Sequence, residues 1–491
     1  MRAAAAFRNY LRTAGGGPFL AATAALFALG VALRLGHLFD VVRLDEATTY
    51  VRFASRPFGE ALSSYHLPNN HLLNTLLVKL SVSAFGPEPW ALRLPNFVAG
   101  LGAMALVAAI AGRWFGRAGA VGALAAAAIA LPVVHYSVLA RGYGLALLFC
   151  LLALWSIERR HAGGGRGWTV VAAASCALAL YAVAAALLLV LPLAAYDFIL
   201  ARGEGRRALA FRAAAWLGAA ALAALLYLPV MLHHGPAQLL ANEYAARLGP
   251  GRMGPYLQAY NYALRDEKTW AAGGARLWAP VVFFGVVAAA FKNKRVGLFF
   301  ALCALIYAAF FKARFPLPTR VLHYGGTLAA LAVGGLAGAA AELIWRECRG
   351  SAKVAWAAAA SIVALTAAVG AVGESKNLIA NSLRSGSARK ARSVAAAIAE
   401  LPPVTRIIVG GWYHDTVKYY LMIDGFPAEA IDRNPPRAFT FEAYVLVPPG
   451  SNAQWETDRY FQYGPMPIVR CERAADGGGF AVWKAIVVNP L

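Results

Sequence analysis

The chain has 491 residues, of which 60% are hydrophobic and only 14% charged, well below the about one-quarter charged share of a soluble domain. Its 46 basic and 24 acidic residues give a net charge of +22. Apolar runs recur near the ~20 residues that a bilayer crossing needs. They exclude a soluble nucleic-acid binder and assign the basic excess to turns between spans and to anionic lipid headgroups.

Arg2, Arg8 and Arg12 precede a first apolar run from about Pro18 to Leu38, read as a retained helix and not a cleaved leader. The stretch Arg43 to His71, RLDEATTYVRFASRPFGEALSSYHLPNNH, then carries polar groups that lipid would not tolerate. Leu72 to Phe85 is apolar on one face but short, and reads as a helix lying in the interface. Further spans are expected at Ala91–Ala111, Ala118–Val134 and Leu145–Ile157. Trp168–Leu200 is too long for one span and is expected to turn back near Tyr181–Ala186. Ala213–Leu232, Ala279–Phe291, Val296–Phe311, Val321–Trp345 and Val354–Val372 complete about eleven spans.

The basic turns GRWFGR, ERRHAGGGRG, ARGEGRRALAFR, KNKR and RECRGSAK then share the cytoplasmic side with the N-terminus. The first loop (39–89), HYSVLARGYG, the loop from 233 to 276 and the C-terminal tail fall outside. All nine histidines except His161 also lie outside, which favours an extracytoplasmic working face. Residues 374–491 differ in composition. A helix pattern at Ala391–Leu401 and short strands at Arg406–Val409, Ala443–Val447 and Phe480–Val488 predict a small soluble α/β domain. The expected fold is therefore an all-α polytopic membrane domain, residues 1–373, followed by an extracytoplasmic α/β domain, residues 374–491.

The five cysteines form no CxxC pair and three lie in apolar runs, so they read as core residues. Asp45 and Glu46 follow the first span on an aromatic, amphipathic stretch; a carboxylate there can serve as general base toward an acceptor hydroxyl. His66 and His71 are separated by five positions, with Asn69 and Asn70 between them. Without an adjacent acid they fit hydroxyl binding better than a metal site. The pattern demands no cofactor, and a divalent cation stays open. Tyr244, Tyr256, Tyr260 and Tyr262, beyond His233 and His234, are interface anchors or sugar-stacking groups.

The order of LDEATTYVRFA, HLPNNHLLNTLL, EPWALRLPNFVAGLGA, GRWFGR, HYSVLARGYGLALLFCLLALW and RFPLPTRVLHY resembles the GT-C superfamily of membrane glycosyltransferases. The likeness is to its family 39-like branch, similar to dolichyl-phosphate-mannose–protein mannosyltransferases. That resemblance implies a polyprenyl-phosphate-linked sugar donor and a lipid, glycan or protein acceptor, with membrane lipids as surroundings and no nucleic acid. It implies a cytoplasmic membrane location with the C-terminal domain outside. It also places the catalytic carboxylate at Asp45, beside Glu46, and a phosphate-binding guanidinium at Arg320, near His323 and Tyr324. A guanidinium can hold a departing phosphate through paired hydrogen bonds; Arg141 (next to Tyr143) and Arg93 are further candidates. The chain departs from the pattern at Ser137 to Tyr143, which has no acid where many relatives carry one, and at Asn69-Asn70-His71, more often His-Pro-Pro. The expected activity is inverting sugar transfer. A glycolipid flippase would instead need charged or broken helices at mid-membrane, and a non-catalytic assembly subunit would keep the scaffold without the chemistry.

Overall fold

A computed structural model describes residues 17–65, 70–239, 274–313, 322–347 and 386–489, apart from 410–413, 432–435, 437, 439, 462–465 and 478, together with 254, 257 and scattered positions between 354 and 368. In chain order the helices are α1 (Gly17–Leu38), α2 (Leu44–Thr48) continued by a π-helical stretch (Thr49–Ala54), α3 (Phe58–Ser63), α4 (Leu72–Phe85), α5 (Pro89–Ile129), α6 (Leu131–Tyr136) and α7 (Tyr143–His161). Then come α8 (Gly167–Ala182), α9 (Leu187–Leu200), α10 (Arg206–Leu226), α11 (Leu228–His234), α12 (Gly274–Lys292), α13 (Lys294–Lys312) and α14 (Leu322–Glu347). The C-terminal elements are α15 (Gly386–Ala399), β1 (Arg406–Val409), α16 (His414–Ile423), β2 (Thr440–Val447), α17 (Ala453–Phe461), β3 (Ile468–Gly477) and β4 (Phe480–Val488).

Two compact units divide these elements. The first holds Met1–Leu38, Leu62–Leu77 and Arg93–Asn377; the second holds Phe39–Ala61, Val78–Leu92 and Leu378–Leu491. The C-terminal part of the second unit begins at Leu378, close to the expected boundary. Most of the first loop belongs with the C-terminal segment.

In the first unit, five helices among the described residues are long and apolar enough to cross a bilayer: α1, α5, α10, α13 and Tyr324–Ala341 within α14. Not every expected span can be followed, because much of Val354–Val372 lies outside the described residues. The spans expected at Ala91–Ala111 and Ala118–Val134 correspond to the two helices of α5, which are divided by a kink at Gly116. That residue has φ 77°, a conformation open to glycine at little cost, so the turn expected over GRWFGR falls at its second glycine. The expected reversal near Tyr181–Ala186 is a break at extended Val183 (φ −153°), followed by a 3-10 turn at Ala184–Ala186. At 14 residues, α4 reaches only about 21 Å, short of a ~30 Å hydrocarbon core.

Hydrocarbon tails are as apolar as leucine, so close backbone approach must hold spans together. A Cβ added at Gly334 of α14 would lie 2.8 Å from the Gly119 carbonyl of α5, and one at Gly338 would lie 2.7 Å from that of Phe115. Gly334→Leu is expected to overpack this crossing and cost about 1–3 kcal/mol, read as an earlier loss of the folded peak on heating in detergent. An apolar core packs α5, α7, α8, α9, α13 and α14 through residues such as Trp114, Leu147, Leu154, Leu193, Phe299 and Leu331.

The second unit contains a four-stranded mixed sheet in the order β1-β2-β4-β3. β1 runs parallel to β2, with Ile407 opposite Tyr444, while β2–β4 and β4–β3 are antiparallel. The parallel pair needs a crossover, and α16 lies within it. Ile408, Phe441, Val445, Phe461, Met466 and Val487 form the core on one side. α15 packs on α16 and β3.

Candidate functional site

Asp45 sits in the first turn of α2, a helix of only five residues. Isolated helices this short do not persist, so its geometry depends on neighbours. The N-terminus is closed by the Glu46 carboxylate, which accepts from the Arg43 amide at 3.1 Å. Both acids also lie where the helix dipole favours negative charge. Glu46 is buried and serves the cap, whereas Asp45 is half-buried. The sequence reading grouped the two acids in one catalytic pair with Asp45 as the base; the fold gives them different surroundings.

The chain then enters the π-helical stretch Thr49–Ala54. π-turns are rare, poorly favoured and frequent at functional sites. Three groups of the same unit hold this one. Arg52 makes a two-point ion pair with Asp415, Nε to Oδ2 at 2.7 Å and Nη2 to Oδ1 at 3.2 Å. The Tyr50 ring meets Tyr419 edge-on at 5.6 Å. The Lys79 ammonium donates to the Ala54 carbonyl at 3.1 Å and to that of Arg56, closing the far end. Burial resists ionisation of Asp415, but hydrogen bonds from His414 and Arg52 and the charge of Arg52 hold its carboxyl well below the usual carboxylate range. A depressed folded value means that this contribution is fully present above the ordinary range and is lost only as pH falls through the depressed value.

A second polar cluster lies in the first unit. The Asn70 amide donates to the Ser64 carbonyl at 2.6 Å and its oxygen accepts from Thr75 at 2.7 Å. It thereby ties together both flanks of residues 66–69. The His71 ring packs 5.3 Å from Tyr143, which packs 5.2 Å from Tyr136. The Arg141 guanidinium lies 6.0 Å over the Tyr143 ring. Asn74 donates to the Ala140 carbonyl at 3.1 Å, and Asn96 donates to Asn74 while accepting from the Leu145 amide at 3.3 Å. The turn expected to carry Arg141 is thus pinned by two asparagines that the sequence reading did not single out. Asn74→Ala is expected to leave Asn96 under-bonded in a buried place and to cost about 1–3 kcal/mol, measured as a lowered thermal midpoint.

Two arginines take capping positions. Arg93, a phosphate candidate by sequence, donates from Nη1 to the His37 and Leu38 carbonyls, both at 3.1 Å, at the end of α1. It is buried. Arg34 is fully buried. It donates to Ser137 Oγ at 2.9 Å and to the carbonyls of Gly30, Ala127 and Ala128. Its target carbonyls at the end of α5 would otherwise be orphans.

Tyr324 is fully buried in the helical core. It lines a small apolar pocket with Leu147, Cys150, Leu154, Phe299 and Leu331. Arg320, His66 and Asn69 lie outside the described residues, as do the side chain of His323 and the tyrosines of the 233–276 loop. Among the described residues, no three His, Cys, Asp or Glu side chains come together in a group that could hold a metal ion.

Comparison with known structures gives this arrangement its context. ArnT from Cupriavidus metallidurans, in its crystal structure bound to undecaprenyl phosphate, superposes with a TM-score of 0.58 at 16% identity, over 95% of this chain and 97% of that one. The chain carries a GT-C fold. The apo crystal structure of the same ArnT gives a TM-score of 0.57 at 17% identity, over 93% of this chain and 97% of that one. Residues 71–233 match the family described as dolichyl-phosphate-mannose-protein mannosyltransferase. The likeness to GT-C glycosyltransferases drawn from the motifs therefore holds both in sequence, over that segment, and in fold, over nearly the whole chain. The Archaeoglobus fulgidus oligosaccharyltransferase, tethered with an acceptor peptide in its crystal structure, covers 73% of this chain and 55% of its own, at 15% identity and a TM-score of 0.43. No curated protein matches the chain.

Proposed function

We propose that this GT-C protein transfers a monosaccharide from a polyprenyl-phosphate carrier to an acceptor at the extracytoplasmic face of the cytoplasmic membrane, with inversion at the anomeric carbon. The observation that supports this most is the GT-C fold shared over 95% of the chain with an ArnT that binds undecaprenyl phosphate. The dolichyl-phosphate-mannose-protein mannosyltransferase match over residues 71–233 adds to it.

In this reading Asp45 is the general base. Its carboxylate takes the proton of an acceptor hydroxyl as the acceptor oxygen bonds to the anomeric carbon. The bond from that carbon to the phosphate oxygen breaks, and its electron pair leaves on the polyprenyl phosphate. Attack from the face opposite the leaving group inverts the configuration. Arg320 holds the departing phosphate, a task suited to a planar guanidinium, with His323 beside it. Glu46 maintains the α2 cap. Asn70, His71, Arg141 and Tyr143 contribute hydroxyl- and sugar-binding groups, as do His66 and Asn69. Arg93 contributes by fixing the end of α1.

The experiment is product stereochemistry. Purified protein is given a labelled polyprenyl-phosphate sugar of known anomeric configuration, and the product linkage is read by NMR. The expected product has the opposite configuration. A retained configuration would overturn direct displacement with Asp45 as base, because retention needs a covalent or dissociated intermediate.

A further inference from the structure

We propose that Asp415 of the C-terminal segment is a positioning residue for the Asp45 carboxylate, acting through Thr48 and Arg52. This rests on the reading of Asp45 as the base. It also gives the C-terminal α/β segment a part in the chemistry.

Four donors converge on the Asp415 carboxylate. Oδ2 accepts from Arg52 Nε at 2.7 Å and from Thr48 Oγ1 at 2.8 Å. Oδ1 accepts from Arg52 Nη2 at 3.2 Å and contacts His414 Nδ1 at 2.9 Å. A carboxylate offers about four acceptor directions, so this one is saturated. Its side chain is also only 4% exposed. A saturated, buried carboxylate is badly placed to take a proton from substrate, so Asp415 does not replace the acid missing from Ser137 to Tyr143. Its chemistry is that of an anchor.

The anchor acts on the segment that carries Asp45. Thr48 lies one turn beyond Asp45, and its hydroxyl is also 2.9 Å from the Leu44 carbonyl, on the peptide that enters Asp45. Thr49 bonds the Asp45 carbonyl itself at 3.0 Å. Arg52 lies in the π-helical stretch that follows. On the near side, Tyr420 of α16 accepts from the Val42 amide at 2.8 Å. Thus α16 grips the chain before Asp45 through Tyr420 and after it through Asp415, and Tyr419 adds a bond to the Pro87 carbonyl at 2.6 Å. A five-residue helix running into a π-turn has little stability of its own. Catalytic groups must be held to within about 0.5 Å by such supporting contacts.

The test uses the full chain in detergent, comparing wild type, Asp415→Asn, Asp415→Glu and the milder Arg52→Lys. Arg52→Lys keeps the charge and loses the two-point fork. Asp415→Asn is expected to lower kcat for the labelled polyprenyl-phosphate sugar by about tenfold to a hundredfold, the range a small misplacement produces. KM should stay within about threefold, because no substrate contact is removed. Amide hydrogen exchange over residues 42–54 should accelerate by at least about tenfold. Asp415→Glu should recover part of kcat, and Arg52→Lys should lie between it and Asp415→Asn. A purely structural role would lower the amount of folded enzyme but not kcat per folded molecule. Faster exchange with unchanged kcat overturns the proposal, and so does unchanged exchange over 42–54. Failure of the underlying base assignment shows separately, as a wild type whose transfer is insensitive to Asp45→Asn.

Discussion

Asp45→Asn is expected to reduce sugar transfer by about 10²- to 10⁴-fold, the contribution of a positioned general base. The substitution keeps shape and volume and removes the ability to accept a proton. Protein yield and thermal midpoint should change little, since the α2 cap is made by Glu46 and Arg43 and the anchoring bonds are made by Thr48 and Arg52. The comparison that gives the result meaning is Glu46→Gln. Glu46 is buried in the cap, so its substitution should lower stability by about 0.5–2 kcal/mol while activity per folded molecule is largely retained. Transfer rates and melting curves on both variants would separate base from cap. A large loss of kcat in Glu46→Gln with normal stability would exchange the two roles.

Arg212→Met is expected to be the most destabilising single change in the helical unit, by about 3–5 kcal/mol, because it strands a buried carboxylate. Arg212 and Asp197 are each about 1% exposed, with Arg212 Nε 3.0 Å from Asp197 Oδ2. Trp216 donates to the same oxygen at 3.0 Å, and His161 lies 3.2 Å from Oδ1. Arg212 also reaches Glu204, which pairs with Arg160 at 3.2 Å. The hydrogen bond from Arg212, with the charges of Arg212, Arg160 and His161, holds the Glu204 carboxyl below its usual range against a modest burial penalty. Its contribution is therefore present above the ordinary carboxylate range and fades on acidification. This cluster joins the ends of α7 and α9 to the start of α10. The double variant Asp197→Leu with Arg212→Met should recover much of the loss, since removing both partners leaves no stranded charge. Thermal unfolding in detergent reads both. A loss below about 1 kcal/mol for Arg212→Met is what an exposed pair gives, and would contradict the buried arrangement.

How far the sequence could be read depended on what kind of signal each residue carried. Apolar length marks a span wherever lipid must be faced, so α1, α10 and α13 are legible from hydropathy. The turn between the two halves of α5 is legible as well, since it falls at Gly116, inside the expected GRWFGR, where a glycine takes the positive φ. In the sheet, β1, β2 and β4 bury the alternating or continuous apolar faces that the strand pattern requires. β3 reads IVRCERAADG and is an edge strand with mostly exposed side chains, so it offered no hydrophobic alternation to detect. Asp45 stood out as an acid after a span. Asp415 did not, because its meaning lies in contacts to Thr48 and Arg52 more than 360 positions away in the chain. The buried polar groups show the same division. Arg34, Asn74 and Asn96 serve backbone carbonyls and each other across helices, and no local pattern announces such partners. The sequence also suggested a soluble C-terminal domain set apart from the first loop, whereas tertiary packing joins Phe39–Ala61 and Val78–Leu92 to it in one unit.

The most direct test of the account is single-turnover release of polyprenyl phosphate from a labelled polyprenyl-phosphate monosaccharide by the purified full chain in lipid nanodiscs, with wild type and Asp45→Asn run side by side. The account predicts release by wild type that requires an acceptor hydroxyl and is abolished in Asp45→Asn at equal folded protein. An intact donor that moves across the bilayer without cleavage, or equal release by the two proteins, would contradict it.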